Sequence, residues 1–332
     1  MAGQNKMTLW DKSAFDCSLI ADELADVRGF LFTHLDCPEG KLAPFIDYLK
    51  NRQGKMLRAG SLLLSGKLVG EINSEHIKLA AVVEMIHAAT LLHDDVIDDG
   101  SKRRFRATAN NLWGANFAVL LGDYLLSKAF EIVATVRRSD ISLLFTQMAQ
   151  TICRGEMLQN AFGGDFSITP EQYLEIISKK TAVFFADCCR LGAMVSKADK
   201  NTCERLYEFG MNFGICFQIT DDLIDICGTE DKTGKTIGRD FSGRILTMPT
   251  IYALSKLSPT DKNELMSLLD NASPDASRIL SILTSAKSFE FTNSQIEHYR
   301  RKALAQIELF SGSSAADELK NLVFSATKSP QA

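Results

Sequence analysis

Leu91-Leu92-His93-Asp94-Asp95-Val96-Ile97-Asp98-Asp99 and Gln218-Ile219-Thr220-Asp221-Asp222-Leu223-Ile224-Asp225-Ile226 are apolar stretches that each carry the pattern D-D-x-x-D. Wound as a helix, the first and last aspartates of each set share a face and the middle one flanks them. Carboxylates this close repel one another and resist burial, so an apolar setting calls for compensating cations. Two sets far apart in the chain read as facing walls around hard divalent ions. Oxygen donors suit Mg²⁺, which keeps waters and binds substrate phosphates.

The neighbouring residues sharpen this reading. Ser74 and Glu75 open a helix that Gly100 stops, and Asn201 with Glu204 opens another that Gly228 stops. Both acid sets then fall in the last turns, where the helix end is itself partly negative and each acid costs about 0.3–1 kcal/mol. Stability does not account for that placement, whereas a bound cation does. Each set is followed by a basic loop, with Lys102, Arg103, Arg104 and Arg106 after the first and Lys232, Lys235, Arg239 and Arg244 after the second. Acids for metal with bases for phosphate, twice over, point to a diphosphate ligand and to metal-assisted ionisation of its ester bond. No Ser–His pairing, cysteine nucleophile motif or Walker loop offers another chemistry.

Working outward, nearly every segment has helical spacing: 22–34, 57–69, 116–136, 141–162, 170–196 and 261–269. Period-2 alternation is missing, so a sheet is not expected, and 35–41, 100–111 and 228–249 read as loops. The fold class is therefore all-α, a single large helical bundle around a central cavity, with one domain spanning 1–332. The chain's 332 residues are 45% hydrophobic and carry a net charge of −4, which argues against a nucleic-acid partner. Its eight cysteines have no metal-like spacing. Cys153, Cys188, Cys189 and Cys216 read as reduced core thiols of a cytoplasmic protein. No targeting segment and no apolar run of about 18 residues is expected. Asp99 reads as an acid that supports the metal ligands from behind or is solvated, Asp123 as a support for a basic neighbour and His93 as a core residue.

The chain resembles the trans-type isoprenyl (polyprenyl) diphosphate synthases, on its long-chain, octaprenyl-like branch. The resemblance covers about 53–254. It rests on Gly54-Lys55-Met56-Leu57-Arg58, Glu84-Met85-Ile86-His87, the first acid set with Arg103-Arg104, and Gly122-Asp123-Tyr124-Leu125-Leu126. It continues through Lys180-Thr181-Ala182, Phe217-Gln218 with the second set, and Gly234-Lys235. The resemblance implies the isoprenoid synthase fold and repeated 1'-4 condensation of an allylic diphosphate with isopentenyl diphosphate to an all-trans product. It also implies a homodimer, and three Mg²⁺ ions held by Asp94, Asp95, Asp98, Asp221, Asp222 and Asp225. Lys55, Arg58, His87 and Arg104 correspond to the isopentenyl diphosphate site, and Arg103, Lys180, Thr181, Gln218 and Lys235 to the allylic side. Ala89 and Thr90, about one turn before the first acids at ~1.5 Å per residue, correspond to chain-length positions; both are small, which implies a product of about C30 to C50 and transient membrane contact for its release. Three departures stand out: Met56 for the family's Arg, Ala59 for Pro, and Ile245 for Lys. They keep open a non-catalytic or regulatory subunit. A class I terpene cyclase, the other alternative, lacks a second D-D-x-x-D.

Overall fold

The computed structural model describes residues 17–35, 39–51, 54–103, 106–227, 245–271 and 275–329. Arg104, Lys232, Lys235, Arg239 and Arg244 lie outside these residues. The helices are α1 (Ala21–His34), α2 (Ala43–Lys50), α3 (Leu57–Val69), α4 (Ser74–Ile97), α5 (Ala109–Trp113), α6 (Ala115–Thr135) and α7 (Ser139–Ala161). Next come α8 (Pro170–Ile177), a π-turn (Ser178–Ala182), α9 (Val183–Val195) and α10 (Lys200–Cys227). The chain ends with α11 (Met248–Lys256), α12 (Pro259–Leu269), α13 (Ala276–Ser285), α14 (Ser288–Ile307) and α15 (Ser314–Ala326). The all-α expectation holds. A small addition is the antiparallel pair β1 (Lys102–Arg103) and β2 (Arg106–Ala107), which with α5 occupies the region read as a loop.

Helix α10 forms the middle of the bundle, packed on α9 and α14, while α4 lies against α6, α3 and α1. Both acid-bearing helices are buried along most of their length because their apolar residues run nearly all round. Phe185 of α9 seats edge-on against Phe213 of α10, with ring centroids 4.8 Å apart. One continuous apolar core results, and it carries α4 and α10 to the same region of the molecule.

Helix boundaries follow local chemistry, with three changes from the sequence reading. The first is that α4 stops one residue earlier, where Asp99 takes the left-handed φ of 49° expected of Gly100; Asp tolerates that region through local hydrogen bonding. The second is that α10 begins at Lys200, with Asp199 Oδ1 accepting from Thr202 N at 3.0 Å, so Asp199 does the capping assigned to Asn201. Finally, 170–196 is two helices joined by the π-turn. Two burial expectations also change. Cys153 is exposed, and His93 is partly buried at 3.4 Å from Asp123 instead of enclosed in the core.

The start of α4 is a reciprocal cap. Asn73 Oδ1 accepts from Glu75 N and His76 N, while Asn73 N donates to His76 Nδ1 at 3.2 Å. His76 Nε2 donates to Gly192 O at 3.1 Å, tying α4 to the end of α9. Burial holds the His76 pKa below its usual value. Because the folded pKa is depressed, this contribution is present above about pH 6.5 and lost as pH falls below it. The stability advantage of wild type over His76→Ala, measured by urea unfolding, is expected to be about 2 kcal/mol at pH 7.5 and to shrink toward pH 5.

Candidate active site

Asp94 lies in the last turn of α4 and Asp98 caps that helix, donating its backbone N–H to Asp94 O at 2.8 Å. Asp221, Asp222 and Asp225 occupy the last turns of α10. In each set the middle acid is the most enclosed: Asp95 is 2% and Asp222 9% exposed. Asp95 Oδ1 accepts from Arg103 Nε at 2.8 Å. Asp222 accepts from Tyr173 Oη at 2.6 Å on one oxygen and from Gln218 Nε2 at 2.6 Å on the other. These two acids are committed to hydrogen bonds within the fold. Asp94, Asp98, Asp221 and Asp225 are less enclosed.

The π-turn stands between the two sets. One extra residue per turn lets consecutive side chains serve different neighbours. Lys180 Nζ pairs with Glu156 Oε2 of α7 at 2.7 Å, and Asp94 and Asp98 also act on its charge. Thr181 Oγ1 donates to Gln218 Oε1 at 2.8 Å, so Thr181, Gln218, Asp222 and Tyr173 form one connected chain. Bare backbone makes the packing around this turn possible. A Cβ on Gly155 would sit 2.3 Å from Lys180 N, and one on Gly214 would sit 2.5 Å from Ala182 Cα.

Charge balance follows from this enclosure. Burial pushes the Asp94 carboxyl up to about 6, against the pull of Lys180. Burial likewise raises Asp222 to about 6, although the bonds from Tyr173 and Gln218 favour its charged form. For Lys180, burial opposes the charge but Asp94 and Glu156 outweigh it, so its pKa is raised. Every donor in both sets is a carboxylate oxygen, a set that fits a hard divalent cation. Among the described residues, no three acidic, histidine or cysteine side chains are arranged to hold a metal by themselves. Phosphate oxygens and waters would have to complete the coordination.

On the other flank, Arg58 Nη1 lies 3.1 Å from His87 Nε2. Arginine has no acceptor, so His87 Nε2 accepts and the ring proton sits on Nδ1. The Arg58 guanidinium also stacks on Phe184 and Phe185, at 4.8 and 4.6 Å from their ring centroids. Lys55 is exposed just before α3. Ala89 is wholly buried, and Thr90 Oγ1 donates to His87 O. A cleft beside α4 is lined by Met85, His87, Ala88, Leu91, Leu92, Asp95 and Arg103, and neither Ala89 nor Thr90 is among its lining residues. Ala89 follows Ala88 by about 100° around the helix, which turns it into the core. Glu156 and Tyr173 were not anticipated from sequence, because each meets the site only through packing of α7 and α8.

A polyprenyl synthetase family model matches residues 39–285. Heptaprenyl diphosphate synthase component 2 of Geobacillus stearothermophilus is 37% identical over 239 residues, covering 72% of this chain and 74% of that protein. The polyprenyl synthase of Caulobacter crescentus, solved with calcium and isoprenyl diphosphate, superposes with TM-score 0.88 at 29% identity, covering 94% of this chain and 96% of that one. A decaprenyl diphosphate synthase from Rhodobacter capsulatus gives TM-score 0.86 at 29% identity, covering 93% and 97%.

This pair makes a direct forecast. Lys180→Met leaves the half-buried Glu156 without its partner and is expected to cost about 1–3 kcal/mol in denaturant unfolding, while Lys180→Met with Glu156→Leu recovers most of it.

Proposed function

We propose that this chain, which belongs to the polyprenyl synthetase family, condenses an allylic diphosphate with isopentenyl diphosphate, repeatedly and in 1'-4 fashion. Its product is then an all-trans polyprenyl diphosphate of about C30 to C50, a range that accords with the names of its relatives. The observation that carries this reading is the pair of carboxylate sets with a half-buried, charged lysine beside them. A diphosphate is the ligand that satisfies acids through Mg²⁺ and bases directly.

Asp94, Asp98, Asp221 and Asp225 would hold Mg²⁺, and Asp95 and Asp222 support them. Bound there with the allylic diphosphate, Mg²⁺ supplies the positive charge that makes the diphosphate a good leaving group. Lys180 and Arg103 add fixed positive charge on the side where the C1–O electron pair departs. Lys55, Arg58 and His87 hold the second diphosphate, with Arg58 locked beneath two phenylalanine rings. That hold places the C3–C4 double bond of isopentenyl diphosphate against allylic C1. The C1–C4 bond forms as the C1–O bond breaks, and loss of a C2 proton to the released diphosphate restores neutrality. Thr181 and Gln218 present oxygens beside the developing cation. Arg104 and Lys235, assigned to the same two diphosphates, lie outside the described residues.

Assembly is proposed from the surface. Leu112, Leu120 and Phe130 on α5 and α6, with Leu143 and Met157 on α7, are 39–70% exposed. Large apolar side chains in such number are enriched at contacts between chains. A homodimer is the simpler reading; a heteromer gains support from the relative named component 2 and from Ile245. Among the described residues no helix is long and apolar enough to cross a membrane.

Incubation with isopentenyl diphosphate, farnesyl diphosphate and Mg²⁺ is expected to give linear products of C30 or longer by thin-layer sizing. Chelation, Asp94→Ala or Asp221→Ala should lower the rate at least about 10³-fold, and cyclic hydrocarbons would overturn the assignment. Leu120→Asp should convert the assembly to monomer in light scattering, with activity lost only if the site depends on the partner.

A further inference from the structure

The end of α4 closes on Asp95 from two directions. Asp99, at φ 49°, turns the chain back so that Gly100 N donates to Asp95 O at 2.9 Å and Asp99 N to Val96 O at 3.3 Å. This is the paired closure by which a left-handed residue ends a helix. The same Asp95 oxygen accepts a second bond, at 2.9 Å from Asn110 Nδ2 on α5. Helix α5 is itself fastened to this turn. The wholly buried Thr108 donates from Oγ1 to Gly100 O at 2.5 Å and from N to Ser101 O at 3.2 Å.

Asp95 is therefore held at both its side chain and its main chain. Arg103 takes the carboxylate, and Asn110, 15 residues further along the chain, takes the carbonyl. A single tether would let the helix end pivot about one bond; two on the same residue fix its rotation. Asp94 and Asp98 turn with that backbone, because Asp98 N donates to Asp94 O.

Asn110 makes its bond against its own balance of donors and acceptors. A carbonyl only accepts, so Nδ2 faces Asp95 and Oδ1 points elsewhere. Oδ1 is buried and, among the described residues, meets no donor. A buried oxygen left unmatched destabilises a fold. Leucine would fill the same space without it, so stability does not account for the asparagine. We infer that Asn110 is a positioning residue for the first acid set: its bond to Asp95 O sets the direction of Asp94 and Asp98, and with it their affinity for divalent metal. The inference rests on the metal-binding reading under Proposed function.

Ultrafiltration of the full chain with Mn²⁺ and excess inorganic diphosphate, followed by metal analysis, measures uptake without turnover. Asn110→Leu keeps the volume and removes the donor together with the unmatched oxygen. In EDTA it is expected to unfold in urea at the wild-type midpoint or above it. Its Mn²⁺ affinity should nevertheless fall at least about tenfold. In turnover, the Mg²⁺ concentration for half-maximal rate should rise about tenfold, with the lost rate largely recovered at saturating Mg²⁺. A residue that serves only the fold would lower the rate at every Mg²⁺ concentration and leave the half-saturating value in place. If Asn110→Leu fails to fold by circular dichroism, Asn110→Ala removes the same donor and leaves room. Unchanged Mn²⁺ uptake in a folded variant, or weaker uptake that only tracks a lower unfolding midpoint, overturns the inference and leaves the proposed activity standing. A wild-type chain that holds no Mn²⁺ with diphosphate would sink that activity and this inference together.

Discussion

A lysine enclosed between two carboxylates is the interaction on which the site depends. Lys180 is held in a mostly buried position by Glu156 on one side and the field of Asp94 on the other. A lone ammonium there would cost several kcal/mol of solvation and would give up its proton instead. Its acids keep it charged, and in return it keeps Asp94 from being driven still further toward neutrality. The π-turn makes this compatible with α10, because Thr181 can face Gln218 while Lys180 faces the first acid set. Straightening that turn into a regular helix would break one partnership or the other.

The two acid sets use one design with different donors. In both, the middle aspartate is withdrawn and gripped, by Arg103 in the first and by Tyr173 with Gln218 in the second. Gripping it fixes the rotation of the helix end, so the outer aspartates keep their direction although they sit at the negative pole of their helices. Hydrogen bonds that favour the charged form also offset part of the burial that raises Asp222.

Periodicity made the helices legible, and α3 begins and ends where its spacing places it. The acid sets were legible because charge inside an apolar run has no structural use. Their internal division was not. Asp94 and Asp95 are equivalent on paper, and only the path of β1 and β2 after α4 brings Arg103 back onto Asp95. Glu156 carries no signal of its own, since a glutamate on an amphipathic helix is ordinarily solvated. Its partner is chosen by the close approach of Gly155 to the π-turn. Two caps were misread by one or two residues: Asp99 takes a left-handed position that glycine fills more often, and Asp199, as good an N-cap as asparagine, stands two residues before Asn201.

The departures at Met56 and Ala59 belong together. Ala59 is the third residue of α3, so its backbone N–H has no partner inside the helix. Glu84 of α4 supplies one at 3.0 Å. Proline, the family's residue at this position, has no N–H and could not make that bond. Exchanging an arginine for Met56 removes a positive charge near Glu84, and exchanging a proline for Ala59 adds a donor to Glu84. The second change gives the half-buried Glu84 carboxylate a backbone donor that proline could not supply. Met56 puts a thioether into the cleft wall where the resembling family has a guanidinium. This region of α3 therefore keeps its helix start and its hold on α4 with an apolar side chain at Met56.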